Sequence, residues 1–177
     1  MSARKTALDV LVRCRTRKAW ADAALGPLLR QRGLTGADAA LCSRIVYGVL
    51  QNQALLDFYL AAWCSQKPEH LQPPLLDILR IGLYQILFLD KIPVSAAVNE
   101  SVELAKSSGR GSAAGLVNAV LRRAARERDH LPPIPDKDHI AYLSTKYSHP
   151  RWLVKRLTAL LGRRRNRFWP LTTPRRP

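Results

Sequence analysis

The chain has 177 residues, 47% of them apolar, and its 29 Lys and Arg against 13 Asp and Glu give a formal net charge of +16. This length predicts one domain with a small appendage, and the positive charge favours a polyanionic partner. Three widely spaced cysteines (Cys14, Cys42 and Cys64) exclude a disulfide framework and a zinc cluster of ordinary spacing.

Apolar residues recur at helical spacing along the first half of the chain, and no alternating strand pattern is convincing. Thr35 and Asp38 resemble a capping pair ahead of the third predicted helix. The pattern predicts helices over residues 3–14, 22–31, 39–52 and 54–63.

The most apolar segment, residues 75–89, predicts a central helix that begins just after Pro73 and Pro74. It contains Asp77, Arg80 and Gln85, and these polar residues argue against a membrane span. Further helices are predicted from residue 94 and from Ser112, with Ser112 as the cap. The fold class predicted for residues 1–130 is therefore all-α, a bundle of about seven helices.

A proline-rich linker, residues 131–138, precedes a short helical extension with helices over 140–147 and from residue 151 to Gly162. Residues 131–162 thus form the appendage. Residues 163–177 contain six arginines and no acid, lack helical periodicity and are predicted to be disordered. The residues before this tail remain basic without it. The first 14 residues hold charges throughout and predict no signal peptide, so together with the free thiols they favour a cytoplasmic location.

Catalytic motifs are absent from the sequence. None of the four histidines (His70, His130, His139 and His149) lies beside a recognisable nucleophile, and we interpret them as surface or capping residues. The glycine-rich run 109–115 follows no predicted strand, which favours a turn between helices over a phosphate-binding loop. Asn99, Glu100 and Asn118 are read as helix-terminal or inter-helix hydrogen-bonding groups rather than as a functional polar cluster.

Two clusters of basic residues are the main functional signal. Guanidinium groups on helices can bind phosphates or stack on unpaired bases. We predict no catalytic residue and no metal-binding residue. We predict an RNA-binding site made of two clusters. The first, near the start of the chain, contains Arg4, Lys5, Arg13, Arg15, Arg17 and Lys18, and the second contains Arg122, Arg123 and Arg126, followed by Arg128. Trp20 follows the first cluster and could stack on a base, although the core is the favoured place for it.

Four motifs resemble a known family: RIVYGVL (44–50), LRIGLYQILFL (79–89), IPVSAAVNESVELAK (92–106) and GLVNAVLRR (115–123). They are similar to the NusB-type RNA-binding fold, and more closely to the N-terminal domain of the bacterial small-subunit rRNA cytosine-5 methyltransferases of the RsmB/Sun type. Free-standing NusB usually has Glu where this chain has Gln85, and it lacks the segment YSHPRWLVKRL (147–157). The resemblance covers about residues 3–162.

The resemblance implies a NusB-like helical bundle that helps hold rRNA, followed in the family by a Rossmann-like domain that binds S-adenosylmethionine and attacks cytosine with a cysteine. This chain contains no motif of that second domain, and its cysteines match no catalytic position. We therefore expect no enzymatic activity and no cofactor in this chain alone, with small-subunit rRNA as its partner and no membrane contact. The alternative is a NusB-like transcription antitermination factor that binds nascent RNA and a ribosomal or transcription-elongation protein. A further alternative is a methyltransferase that this chain forms together with a separately encoded catalytic half.

The tail also differs from the family, whose members usually continue past Gly162 with acidic helical sequence. A GC-rich gene encoding Leu-Ala-Ala-Asp-Asn-Ala-Ala-Pro-Pro gives Trp-Pro-Leu-Thr-Thr-Pro-Arg-Arg when it is read one base out of frame. This is the sequence of residues 169–176. The hypothesis is that residues 163–177 are out of frame and that the chain is truncated before a catalytic domain.

Overall fold

The computed structural model describes residues 2–161, and this range contains nine α-helices, two short 3₁₀ turns and no β-strand, which confirms the all-α prediction. The predicted tail and its proposed frame shift lie outside the described residues. Seven helices form the bundle and two form the extension. In chain order they are α1 (Ala3–Arg17), α2 (Ala21–Gln31), α3 (Gly36–Gln51), α4 (Gln53–Trp63), α5 (Leu75–Phe88), α6 (Val94–Ser107), α7 (Ala114–Arg126), α8 (His139–Lys146) and α9 (Arg151–Leu161).

Helix α5 is the centre of the bundle, as the sequence predicts. Every residue from Leu75 to Leu87 is buried, and α1, α3, α4, α6 and α7 all pack around the helix. A helix that is apolar on nearly all sides is stable only when other elements cover every side. The other bundle helices are amphipathic, so each contributes one apolar face to a single continuous core.

Two glycines allow neighbouring helices to approach each other closely. A Cβ on Gly48 of α3 would lie 1.9 Å from Cζ of Tyr84 on α5. A Cβ on Gly82 of α5 would lie 2.4 Å from Cδ1 of Leu121 on α7 and 2.7 Å from Oγ of Ser101 on α6. The missing side chain of Gly82 therefore sets how deeply α7, which carries the second arginine cluster, sits on α5.

Two predicted helix starts differ from the structure. Thr35 occupies the N-cap position of α3, but its side chain makes no capping hydrogen bond. Helix α7 begins at Ala114 rather than at Ser112, because residues 111–113 form a 3₁₀ turn closed by a hydrogen bond from Ala113 N to Arg110 O. The Arg110 guanidinium holds this turn to Gln72 and to the Pro73 carbonyl, at 2.8 and 2.9 Å.

The extension after the proline-rich linker packs on the bundle through α8 and α4. Its own small core contains Leu143 of α8 and Val154 of α9. The Ser148 hydroxyl accepts a hydrogen bond from the Leu55 backbone N–H of α4 at 3.2 Å. No helix among the described residues is long and apolar enough to span a bilayer.

Candidate nucleic-acid interface

Helix α7 carries arginines on the side opposite to its buried face. Val117, Val120, Leu121 and Ala124 are buried at helical spacing, which turns Arg122, Arg123 and Arg126 outward. All three arginines are exposed. The second predicted cluster therefore lies on one solvent-facing surface at the end of α7.

A groove of about 330 Å³ runs between α6 and the end of α7. It is lined by Val94, Ser95, Val98, Asn99, Arg122, Ala125 and Arg126. The Arg122 Nε donates to Asn118 Oδ1 at 2.9 Å, which fixes the guanidinium and leaves its two terminal nitrogens without an acidic partner in the described chain. This bond joins two residues of α7, so Asn118 makes neither the helix-terminal nor the inter-helix hydrogen bond that the sequence predicts, and Asn99 is exposed and lines the groove.

Arg123 and Arg128, the other two arginines of this cluster, each have an acidic neighbour. Arg123 Nε donates to Glu127 Oε1 at 2.9 Å, and Glu127 also accepts from the Trp63 indole of α4 at 2.6 Å. Both hydrogen bonds lower the pKa of the Glu127 carboxyl, and the bond from Arg123 has the larger effect. Arg128 lies 3.6 Å from Asp129. Arg123 is therefore partly neutralised. Glu127 also interacts electrostatically with Arg126 without forming an ion pair with it, and Arg122 and Arg126 are the positive charges that line the groove.

The first predicted cluster is divided between the two ends of α1. Arg17 lies thirteen positions after Arg4, which corresponds to about 20 Å along a helix. Arg4 Nε donates to the buried Gln85 Oε1 at 2.7 Å, and its Nη1 lies 3.7 Å from Glu100. Lys5 Nζ contacts Asp9 at 3.5 Å and Ser108 Oγ at 3.2 Å. Both side chains at the start of α1 thus have partners within the bundle, beside α6.

Arg15 points into the bundle. Its Nε and Nη2 donate to Asp77 Oδ2 at 3.1 and 2.7 Å, and Asp77 is 2% exposed. Arg80, also buried, joins Asp77 at 3.2 Å to Asp57, to which it donates two hydrogen bonds of 2.8 and 2.7 Å. These two arginines and two aspartates form a neutral chain that links α1, α5 and α4.

The polar residues of α5, which argue against a membrane span, are also a sequence signal for this buried network. Asp77 and Arg80 lie three positions apart inside the most apolar helix, and a charged residue in such a helix requires a partner. Arg15 is the partner from α1. A contact between Arg15 and RNA stays a prediction, but the Arg15 side chain is 28% exposed and its guanidinium already makes two hydrogen bonds.

At the far end of α1, Arg13, Arg17 and Lys18 are exposed, and within residues 2–161 none of them has an acidic partner. Trp20, two residues beyond Lys18, is 84% exposed. The favoured core position for Trp20 is therefore wrong: α2 buries Ala24, Leu25 and Leu28, and Trp20 precedes the first turn of that helix.

A larger hollow of about 430 Å³ lies elsewhere, between α3 and the turn from α5 to α6. It is lined by Leu41, Arg44, Leu89, Asp90, Lys91 and Ile92. Its walls are apolar and its charges are of both signs, so it suits a phosphate chain less well than the α6–α7 groove does. In the described part of the chain, no three His, Cys, Asp or Glu side chains are grouped so that they could hold a metal ion.

The three cysteine side chains pack against or within the apolar core of the bundle, as small apolar residues do. Cys42 is fully buried, and burial raises its pKa to about 11, although Arg32 opposes the shift. Burial also raises the pKa of Cys14 and of Cys64. A raised pKa keeps a thiol protonated at neutral pH and makes it a poor nucleophile.

Comparison with known proteins shows which protein family this helical bundle resembles. The model of the NusB family matches residues 1–126. The probable ribosomal RNA small subunit methyltransferase B of Bacillus subtilis (strain 168) is 37% identical over 155 residues, which are 87% of this chain and 34% of that protein. A putative methyltransferase of Mycobacterium tuberculosis is 35% identical over 165 residues, 90% of this chain and 36% of that protein.

The crystal structure of PH0851 has the same fold, with a TM-score of 0.72 and 18% identity over 99% of this chain and 39% of that chain. The chain thus spans about a third of the length of the curated relatives that it matches, and those relatives are named as methyltransferases. The family match, which ends at the end of α7, and the seven packed helices agree with each other. The chain belongs to the NusB family.

Proposed function

We propose that this chain is an RNA-binding module that corresponds to the N-terminal part of a small-subunit rRNA cytosine-5 methyltransferase. The observation that supports it most is the pair Arg122 and Arg126: two exposed arginines that line one groove and form no ion pair among the described residues, although Glu127 interacts with Arg126 at longer range. Relatives named as rRNA small subunit methyltransferases make rRNA the preferred ligand.

The mechanism is phosphate neutralisation at a preorganised surface. Arg122 is held by Asn118, and guanidinium forks suit the paired oxygens of a phosphate. Asn99 and Ser95, across the groove, offer hydrogen-bonding groups to ribose hydroxyls or base edges. Arginine contacts set affinity and orientation, and the neutral groups of α6 supply any selectivity.

In this proposal the chain performs no methyl transfer by itself. The family resemblance assigns S-adenosylmethionine binding to a second domain, of which this chain contains no motif. Rossmann-like domains bind such cofactors where a strand turns into a helix. Residues 2–161 contain no strand, so no site of that kind lies among the described residues.

The salt dependence of RNA binding tests the proposal. With four or five phosphates contacted, the logarithm of the binding constant for single-stranded RNA should fall against log salt with a slope of roughly −3 to −4. Arg122→Glu with Arg126→Glu should weaken binding and reduce that slope by roughly 1.4, since two contacts of about 0.7 each are lost. Fluorescence anisotropy with a labelled rRNA fragment measures both quantities.

The matched control is Lys155→Glu with Arg156→Glu, two exposed residues of α9 that give the same change in net charge away from the groove. Retained affinity in this control places the effect in the groove. Equal losses in both variants would show that total charge matters and that the groove does not. A flat salt dependence of the unaltered protein would refute RNA binding through phosphates altogether.

A second candidate is a transcription antitermination adaptor that binds nascent RNA together with a ribosomal protein. The match of the NusB family over residues 1–126 is the observation that supports it. The extension formed by α8 and α9 and the methyltransferase names of the relatives favour the first candidate. Affinity purification from cells distinguishes them: ribosomal precursors support the rRNA module, and transcription-elongation components support the adaptor.

A further inference from the structure

Trp20 is the most exposed large apolar side chain among the described residues, at 84%, ahead of Leu160 at 74% and Trp152 at 65%. One exposed apolar residue is ordinary on a protein surface. Trp20 differs because its backbone is fixed and because its neighbours in the chain are unpaired cations.

The backbone of Trp20 is held at the start of α2. Its carbonyl accepts the first hydrogen bond of the helix from Ala24 N, at 3.1 Å. Two residues later, the Asp22 carboxylate accepts a hydrogen bond from the Tyr47 hydroxyl of α3. The start of α2 is thereby joined to α3, and the indole extends into solvent from an ordered turn.

The residues just before Trp20 provide positive charge without neutralisation. Arg13, Arg17 and Lys18 are exposed and have no acidic partner in residues 2–161. Asp22, the acidic residue nearest to Trp20 in the sequence, is engaged by Tyr47. An aromatic face beside free cations is the arrangement that single-strand-binding proteins use, because the ring stacks on a base and the cations bind the phosphates.

We propose that Trp20 stacks on one unpaired nucleobase of a single-stranded RNA, while Arg17 and Lys18 bind the phosphates on either side of it. This base site lies at the end of α1 opposite to Arg4, and none of Trp20, Arg17 and Lys18 lines the α6–α7 groove. It deepens the proposed RNA-binding function and depends on it. A duplex does not satisfy the site, because its bases are already stacked on one another.

Three RNA probes and three variants test the base site. The probes are a short labelled single strand, the same strand annealed to its complement, and a strand of equal length with abasic positions. Trp20→Ala should weaken binding of the single strand by about 5- to 150-fold. Trp20→Phe should restore most of the affinity, and Trp152→Ala, which removes the exposed tryptophan of α9, should leave it unchanged.

The abasic strand separates stacking from charge. It retains its phosphates, so the unaltered protein and Trp20→Ala should bind it equally, with the same dependence on salt. Both proteins should also bind the duplex equally. Thermal unfolding of Trp20→Ala should match the unaltered protein, since so exposed a side chain contributes little to the core.

The outcomes distinguish this proposal from the wider one. If Trp20→Ala binds the single strand as tightly as the unaltered protein, while salt-dependent binding persists, base stacking at Trp20 is refuted and RNA binding stands. If Trp20→Ala weakens binding of the abasic strand just as much, Trp20 acts without a base and the proposal also fails. If the unaltered protein binds no RNA in a salt-dependent way, both proposals fall.

Discussion

The arginines at the end of α1 and those at the end of α7 occur in similar runs of sequence, but they have different surroundings. Arg15 donates two hydrogen bonds to Asp77, a carboxylate that is 2% exposed. Arg122 and Arg126 line an open groove. Among the residues that the structure describes, neither forms an ion pair; Arg122 donates to the neutral amide of Asn118, and Glu127 acts on Arg126 only at longer range. The first arginine stabilises the fold, and the other two are available to a ligand.

The difference arises from the helix that each arginine faces. Helix α1 packs along α5, whose first turn contains Asp77, so an arginine on the inner side of α1 finds a buried acid. Helix α7 packs on α5 through its apolar face, and its arginines lie on the other side. Charge clustering in a sequence therefore indicates a binding surface only where no buried acid is within reach.

Asp77→Ala is expected to have the largest effect, because it removes the acid between Arg15 and Arg80. It should leave Arg80, which is 5% exposed, with a buried charge that Asp57 alone must compensate. Removing one partner from a buried ion pair destabilises a protein by about 3–5 kcal/mol. Urea unfolding followed by circular dichroism measures the loss.

Arg126→Ala is the control for that comparison. It removes an exposed guanidinium, so the free energy of unfolding should stay within about 0.5 kcal/mol of the unaltered value. An equally large loss in Arg126→Ala would mean that α7 depends on its arginines for stability, and the contrast between the two regions would be lost. An unchanged stability of Asp77→Ala would show that the network contributes nothing.

Lys18→Gly is expected to have a smaller effect of the opposite sign. Lys18 ends α1 in the left-handed conformation, with φ at 52°, where a side chain is disfavoured by about 1–2 kcal/mol. Glycine relieves this strain but makes the unfolded chain more flexible, so a net gain of about 0.5–1 kcal/mol is expected.

The same substitution should weaken binding of single-stranded RNA, since it removes a cation beside Trp20. A stability gain together with weaker binding would show that Lys18 is kept for its charge despite the strain. A loss of stability would show instead that the Lys18 side chain contributes to the fold. Thermal unfolding and fluorescence anisotropy on the same sample provide both measurements.

The sequence was sufficient to predict the helices, the central position of α5 and the outward face of α7, because each depends on local periodicity. Arg122 and Arg126 follow buried residues at fixed helical intervals, so their exposure could be predicted. The inward position of Arg15 could not, because it depends on which residue of α5 lies opposite α1. The core position predicted for Trp20 is wrong for a similar reason. A tryptophan usually packs in a core, but Trp20 lies just before the first turn of α2, and its side chain is exposed to solvent.

The smallest expected effect concerns an exposed ion pair, Asp138 with Arg151 at 2.8 Å, which contrasts with the buried pair of Asp77. The Asp138 carboxylate accepts from the backbone N–H groups of Ile140 and Ala141 at the start of α8. Its hydrogen bond from Ala141, followed by that from Arg151, lowers its pKa below the ordinary 3.8. The stabilisation should thus be complete above pH 3.8 and be lost as the pH falls through the lower pKa of the folded protein.

Asp138→Asn and Asp138→Ala separate the cap from the ion pair. Asparagine can still accept from the backbone at the start of α8, and it caps helices about as well as aspartate does. Asp138→Asn should therefore keep the α8 amides protected from hydrogen exchange, whereas Asp138→Ala should lose that protection. If asparagine fails as badly as alanine, the charge pair with Arg151 holds the extension, and an exposed pair would matter here as much as a buried one. If both variants keep their protection, the small core of Leu143 and Val154 is sufficient by itself.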